Sequence, residues 1–405
     1  MTKSKDDGFR EDSPRLKYIN VLVDSGATSF CHYTNDTYGA KESELISLSR
    51  LKQVADFSRR RNIPCNFILG ADPLPHVYRR VIDAIDHLKI VPLSAAYAYG
   101  EALAVINDRD FKKSASLKEN ALSHCILCLP KKKLAALGEM VASLSGKYQK
   151  LNIALQDIPL LTPADLLIYE EELEKVRALM CTEYQKGSAA EINVISDRII
   201  LTSMNNCNAG IDHVTFAPNG KFYICPGFYH DNPHGDIGTL QRGIMIKNAE
   251  LLELERSPIC SICDAFQCKR CVYLNKKMTG EINIPSHEQC VLSHIERALS
   301  KKLVRELKYS MKNIRAIDDI PDLEYYDPFE KLNKDTIIKK RTESRNIRNL
   351  KPLGALTLKN MPSISQKTVQ SSETGGKKVN EKQILSQIYE TQVEILKMLK
   401  YLRGI

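Results

Sequence analysis

Seven of the twelve cysteines fall between residues 207 and 290, and their spacing is ordered. Cys207 is followed by twelve residues, Gly220, four residues and Cys225; then comes Cys260-x2-Cys263-x4-Cys268-x2-Cys271, and finally Cys290. A C-x2-C turn directs two thiolates at one metal centre, and a later cysteine brought back by a hairpin or helix completes a four-sulfur shell. Seven thiolates fill one such shell and most of a second. A centre with three protein ligands keeps a coordination position for substrate or an exogenous ligand. Iron-sulfur clusters and zinc both use this donor set. The four residues between Cys263 and Cys268 are few for a zinc ribbon, whose arms usually stand roughly 15 to 20 residues apart. Clusters are therefore the favoured reading, with zinc as a folding staple the alternative.

The other cysteines invite less. Cys125 and Cys128 form a C-x2-C inside an apolar strand, where they pack as small hydrophobes. Cys65 and Cys181 read as core or surface thiols. No Ser/His/Asp set, phosphate-binding Walker loop or zinc-protease helix is present. The aromatics near the seven cysteines (Phe216, Phe222, Tyr223, Phe228, Tyr229, Phe266, Tyr273) would shield a cluster and tune its potential by burial, or equally build any small core.

The elements that must position these residues follow from apolar periodicity. Between Lys17 and Gly187, short apolar runs alternate with helical patterns, as in βα units around a parallel sheet. Six strands are expected: Tyr18 to Val23, Cys65 to Leu69, Lys89 to Leu93, Ala102 to Ile106, His124 to Leu129 and Leu151 to Gln156. Helices are expected over Glu42 to Arg60, His76 to His87, Lys131 to Leu144 and Pro163 to Gln185. Only eight residues, Ser94 to Glu101, join the third strand to the fourth, too few for an ordinary crossover, so that link is read as helix-free or irregular. Six strands are too few for a closed eight-strand barrel and fit an open, partial one whose exposed end needs covering. Beyond Leu201, Val214 to Ala217 and Lys221 to Cys225 flank Pro218-Asn219-Gly220, a hairpin in which the Asn-Gly pair supplies positive φ. A helix resumes from Val291 to Ser310.

The chain of 405 residues, 43% hydrophobic and 26% charged, has the composition of a globular protein with at least two domains. Met1 to Lys17 is crowded with charge and has no apolar h-region, and no apolar run is long enough to span a bilayer, so a cytoplasmic location without membrane contact is expected. The formal net charge of +9 is read as a solvated basic surface. Residues 335 to 380, rich in Lys, Ser, Thr and Asn, read as a tether. From Glu381 to Arg403, Leu385, Ile388, Ile395, Leu399 and Leu402 form a heptad seam of about three repeats, which would dock on the body, oligomerise or grip a partner.

The order C-x12-G-x4-C, gap, C-x2-C, C-x2-C, gap, C resembles the SPASM module, the auxiliary-cluster domain of radical S-adenosylmethionine enzymes that modify ribosomally made peptides. That family reads C-x2-C-x5-C-x3-C between the gaps, so this chain is one residue short in each of the last two intervals. The resemblance implies that Cys207, Cys225 and Cys271 belong to one [4Fe-4S] cluster and that Cys260, Cys263, Cys268 and Cys290 hold another. It also implies a (β/α)6 partial barrel upstream, with three cluster cysteines as C-x3-C-x2-C after the first strand. Here that loop is Asp24-Ser-Gly-Ala-Thr-Ser-Phe-Cys31-His32-Tyr33-Thr34. Cys31 matches the second ligand, while Ala27 and Thr34 stand at the first and third. One thiolate makes a labile cluster site, so radical chemistry of its own, and S-adenosylmethionine binding with it, are not expected. His32 beside Cys31 reads as an exposed loop residue rather than a replacement ligand. The family's Gly-Gly-Glu-Pro turn after the second strand is matched by Gly70-Ala71-Asp72-Pro73, which makes Gly70 and Asp72 the candidate remnant of a cofactor-binding turn.

Taken together the chain is most similar to pseudo-radical-SAM proteins with SPASM-like ends, in particular the CXXX repeat peptide maturases of bacteria. The layout expected is a disordered terminus over 1–16, a degenerate radical-SAM-like partial barrel over 17–190, a small cysteine-rich α+β SPASM-like iron-sulfur domain over 191–330, a linker over 331–380 and an amphipathic helix over 381–405. The implied function is maturation of a cysteine-repeat precursor peptide, with one or two [4Fe-4S] clusters. A non-catalytic recognition or scaffold subunit for a companion radical enzyme, and a zinc-stapled structural or nucleic-acid-binding protein, are the alternatives.

Overall fold

The computed structural model describes residues 16–323 except 34–43, 71–72, 100, 108–109, 115, 119–120, 189 and 311–316. The chain divides into two compact units, Met1–Phe329 and Glu330–Ile405. The second lies outside the described residues, and with it the expected tether and heptad helix.

Eleven described strands form one sheet. They are β1 (Tyr18–Leu22), β2 (Cys65–Ile68), β3 (His87–Pro92), β4 (Leu103–Ile106), β5 (Leu122–Leu129), β6 (Tyr148–Leu155), β7 (Glu191–Ile192), β8 (His213–Phe216), β9 (Lys221–Tyr223), β10 (Gly238–Thr239) and β11 (Gly243–Ile244). Their spatial order is β11-β10-β9-β8-β1-β2-β3-β4-β5-β6-β7. Every pairing from β8 through β1 to β7 is parallel, and β8 to β11 are joined antiparallel. The result is a mixed α/β fold around a large parallel sheet, with the six expected strands in sequential order along it.

The helices are α1 (Leu48–Arg61), α2 (His76–Ile82), α3 (Leu93–Ala96), α4 (Phe111–Ser114), α5 (Leu137–Leu144), α6 (Pro163–Gln185), α7 (Asn193–Ile200), α8 (Pro226–Asp231), α9 (Val272–Thr279) and α10 (His287–Ser310). α6 has the bounds the sequence gives it because both signals are local: Thr162 forms a capping box with Asp165 and Pro163 opens the first turn. The link between β3 and β4 is not helix-free; it carries the single turn α3, which is as much helix as so short a crossover admits.

The expected hairpin is present as β8 and β9, but its turn differs. Gly220 has φ 82° and Asn219 is not among the positive-φ residues. The turn spans Ala217 to Gly220, closed by the Gly220 N–H donating to the Ala217 carbonyl at 2.9 Å. A type I turn followed by one left-handed residue needs glycine only at the last position. The Asn219 side chain is used instead, accepting from the Lys221 N–H at 3.2 Å and donating to the Tyr223 hydroxyl at 2.8 Å.

Strand alternation sorts the sheet into two faces. Ile19, Val21, Phe67, Val214, Phe216 and Phe222 pack with Leu51, Val54 and Phe57 of α1 in one apolar core. Leu22, Ile68, Ile90, Val105, Ile126, Cys128, Ala154 and Tyr223 form a second. Cys125 and Cys128 are both buried strand residues, as read from the sequence, and Cys65 and Cys181 are core thiols. Among the described residues no helix is long and apolar enough to cross a membrane.

Candidate metal centre and cavity

Five of the seven cysteines of the pattern are set by small local elements. Cys225 and Cys271 occupy the residue just before α8 and α9, in extended backbone that turns into a helix. The first amides of those helices, Gly227 and Phe228 for Cys225, Tyr273 and Leu274 for Cys271, favour the thiolates without making a capping hydrogen bond. Cys260 begins a short 3-10 turn that ends at Cys263. Cys290 lies in the first turn of α10, where the Ser286 hydroxyl accepts from the Gln289 N–H at 3.2 Å. Asp264 clamps this region to two helices: Arg297 of α10 donates to its carboxylate through Nε at 2.7 Å and Nη2 at 2.5 Å, and Arg198 of α7 through Nη2 at 3.0 Å.

Electrostatic neighbours place the thiols in two groups that meet at Cys271 and Cys268, since Cys268 also raises Cys271. Burial pushes Cys225 well above the usual thiol range, and Cys271 and Cys207 push it further. Cys271 is raised to about 12 by burial and then by Cys207. In the second group Cys268 is raised to about 12 by burial, with Cys260 and Cys263 adding to it. Cys290 is raised to about 12 by burial and then by Cys268, Cys260 and Cys263. Cys263 Sγ also faces the Nε2 of His294 at 3.8 Å. Among the described residues, no three His, Cys, Asp or Glu side chains converge on a position for a single metal ion.

Arg270 indicates what kind of group suits this place. It is 1% exposed, it sits electrostatically beside Cys260, Cys207, Glu255 and Cys268, and it donates through Nη1 to the Leu252 carbonyl at 2.7 Å. Its Nε and Nη2 are buried with no hydrogen-bond partner. A buried guanidinium left half-satisfied is costly unless negative charge lies beside it. Glu255 supplies part of that charge, and thiolate-held metal-sulfur groups would add to it, so the residues fit the implied clusters.

A cavity of about 550 Å³ adjoins the first group. Cys31, Cys207, Cys225, Cys268, Cys271 and Arg270 border it, and so do Asn20, Asn66 and Asn152 from β1, β2 and β6. Asn66 donates to Asn20 across paired strand positions at 3.2 Å. Asn193, also at the cavity, exchanges two hydrogen bonds with the Ile153 backbone, at 2.7 and 3.2 Å, continuing the edge of β6 as a strand would. Glu296 of α10 borders it too, accepting from the Tyr169 hydroxyl at 2.8 Å and from Gln267 at 3.3 Å. Burial raises this carboxyl to about 7. The sequence reading missed these residues. A signal existed for the asparagines, since each interrupts an apolar strand in which Asn is disfavoured. One existed for His294 as well, one helical turn beyond Cys290.

The degenerate loop lies against the same cavity. Ala27 is fully buried in the core with Leu22 and Ile68, and Thr34 is outside the described residues. His32 is not an exposed loop residue: it is half-buried, borders the cavity, and its Nδ1–H donates to the Leu155 carbonyl at 2.8 Å. A loop this close to β6 is covered by it, which the loop's own sequence does not disclose. Gly70 donates its N–H to the Asp24 carboxylate at 3.0 Å, joining the ends of β2 and β1. Gly70 does not border the cavity, and Asp72 is outside the described residues.

No protein-family model and no curated protein matches this sequence. Solved structures similar to it include native anSMEcpe with bound AdoMet and the Cp18Cys peptide, at 12% identity and a TM-score of 0.48, covering 72% of this chain and 99% of that one. Hexahistidine-tagged anSMEcpe with bound AdoMet is similar at 12% identity and a TM-score of 0.48, covering 71% and 98%.

Proposed function

We propose that this chain is an iron-sulfur protein of peptide maturation, built as a degenerate radical-SAM-like (β/α)6 partial barrel with a SPASM-like module, and that its substrate is a cysteine-repeat (CXXX) precursor peptide. The observation that carries the reading is that Cys207, Cys225, Cys268 and Cys271 border one cavity, with the half-satisfied Arg270 electrostatically beside Cys260, Cys207 and Cys268. Cys207, Cys225 and Cys271 would hold one [4Fe-4S] cluster, and Cys260, Cys263, Cys268 and Cys290 the other. When bound, such clusters supply one-electron redox centres or an iron able to take a substrate sulfur.

The chain's own residues do the rest. Asn20, Asn66 and Asn152 offer amide donors and acceptors on the cavity wall to a peptide backbone, and Glu296 offers a carboxyl able to hold or release a proton near neutral pH. Ala27 buried in the core at a position where a cluster ligand would stand argues against radical chemistry by this chain alone, so a companion radical enzyme belongs to the proposal.

The test is anaerobic purification and reconstitution with iron and sulfide, then binding of a synthetic cysteine-repeat peptide. About eight irons with matching sulfide per chain are expected for two clusters, together with saturable binding of the peptide. Colourless protein holding about two zinc ions would overturn the cluster assignment.

A further inference from the structure

The loop that follows β1 brings one thiol to the first group of cysteines. Cys31, Cys207, Cys225 and Cys271 all border the same cavity, although three of them lie far along the chain from the first. We propose that Cys31 is the fourth thiolate of the Cys207/Cys225/Cys271 centre, so that the centre is closed by four protein sulfurs. The assignment rests on the metal-centre reading above and sharpens it. A three-thiolate centre keeps a position for a substrate sulfur, whereas a closed one relays electrons or holds the fold, and the peptide then binds beside it against the asparagine wall.

Three observations support Cys31 in this role. Burial raises its thiol most, and the ionisable groups that raise it further are, in order, Cys225, Cys271, Cys207 and Cys128, so this group of sulfurs surrounds it. Cys128, the other nearby candidate, is committed elsewhere: its S–H donates to the Ser29 carbonyl at 3.1 Å and its side chain is packed in the core. The loop is also held in place rather than free to swing. The Ala27 N–H donates to the Asp24 carbonyl at 3.2 Å, the Thr28 N–H to the Leu69 carbonyl at 3.0 Å, and His32 to Leu155. Tyr33 stacks on His230 of α8, the helix that Cys225 precedes, with 5.3 Å between ring centroids. The loop carrying Cys31 and the helix behind Cys225 are therefore packed together, as two ligands of one centre must be.

The full-length chain, reconstituted anaerobically with iron and sulfide, tests this through metal content and electron paramagnetic resonance. Cys31→Ser and Cys31→Ala should each hold about half the wild-type iron and lose the spectral component that Cys225→Ser also loses. Cys290→Ser should lose the other component, and Cys128→Ser neither. Wild-type iron and an unchanged spectrum in both Cys31 variants would overturn the proposal. Should a variant fail to fold, the unaltered chain decides: Cys31 shielded from alkylation in the metal-bound chain but modified in the stripped chain supports it, and equal modification overturns it. If wild type takes up zinc and no iron, the cluster reading fails while Cys31 is still tested, since Cys31→Ser should then bind one zinc fewer and an unchanged count rejects it.

Discussion

The ring of His213 stacks on that of Tyr18 with 4.7 Å between centroids and 9° between planes, at the one pair of positions where β8 begins its parallel register with β1. His213 is buried, its Nδ1 has no hydrogen-bond partner, and burial lowers its pKa to about 4, with Asp212 opposing the shift. The folded state therefore holds this imidazole neutral. With the unfolded value near 6.5, its contribution is fully present above that pH and is lost as pH falls toward 4, by a few kcal/mol at most. His213→Phe keeps the stack and removes the ionisation. Thermal melts between pH 7 and pH 4.5 should show a shallower fall for the variant; parallel curves would count against the assignment.

Glu296 runs the opposite way. Its folded pKa of about 7 lies above the unfolded value, so stability is greatest below about 4.5 and falls as pH rises through 7, by roughly 3 kcal/mol from this one group. Glu296→Gln cannot ionise. It should melt higher than wild type at pH 8 and show no gain at pH 4.5, which differential scanning calorimetry would read directly.

Gly227 lets α8 and α9 touch. A Cβ there would lie 2.7 Å from Cγ of Tyr273, a buried side chain that cannot yield without moving the residues around Cys271. Gly227→Ala should cost about 1 to 3 kcal/mol as overpacking and lower metal content, because it separates Cys225 from Cys271. Unaltered metal binding alongside unaltered melting would show that the two helices slide freely.

Asp264 is the anionic partner of Arg198 and Arg297, whose side chains are 9% and 5% exposed. Asp264→Ala leaves two buried guanidinium groups uncompensated, at a cost of about 3 to 5 kcal/mol. Urea denaturation should give a lower midpoint, with the double change Arg297→Met and Asp264→Ala recovering part of it.

Arg270→Met separates the charge from its surroundings. In the metal-stripped chain it should be neutral or stabilising by about 1 to 4 kcal/mol, since it removes a half-satisfied buried ion. In the metal-bound chain it should make reduction harder and move the midpoint potential to more negative values, as redox titration would show.

The six parallel strands were legible because each is a short apolar run bounded by turn residues, and α6 because its cap and its Pro163 are neighbours in sequence. The pairing of β8 with β1 was not legible, since nothing in either segment's pattern names its partner. The partition of the thiols followed from a resemblance, which no spacing in the sequence could replace; in the fold Cys271 has both Cys207 and Cys268 among its electrostatic neighbours. Arg270 and Glu296 stayed hidden for a different reason: a charged residue between cysteines or on a helix reads as surface until the fold buries it. Cys31 was visible as the survivor of a degraded motif, but its neighbours in space come from residues far downstream.

The parallel seam between β1 and β8 also bears on biosynthesis. Lys17 and Asp212, which bridge it at 2.9 Å, are 195 residues apart. During synthesis, β1 leaves the ribosome long before its β8 neighbour exists, and one edge of this buried strand stays unpaired for roughly ten seconds or more at ordinary elongation rates. Any truncation upstream of residue 216 leaves that edge open permanently. The cysteine-rich half is thus the chain's own shield against edge-to-edge aggregation, and soluble expression should fail abruptly, rather than decline gradually, once β8 is removed.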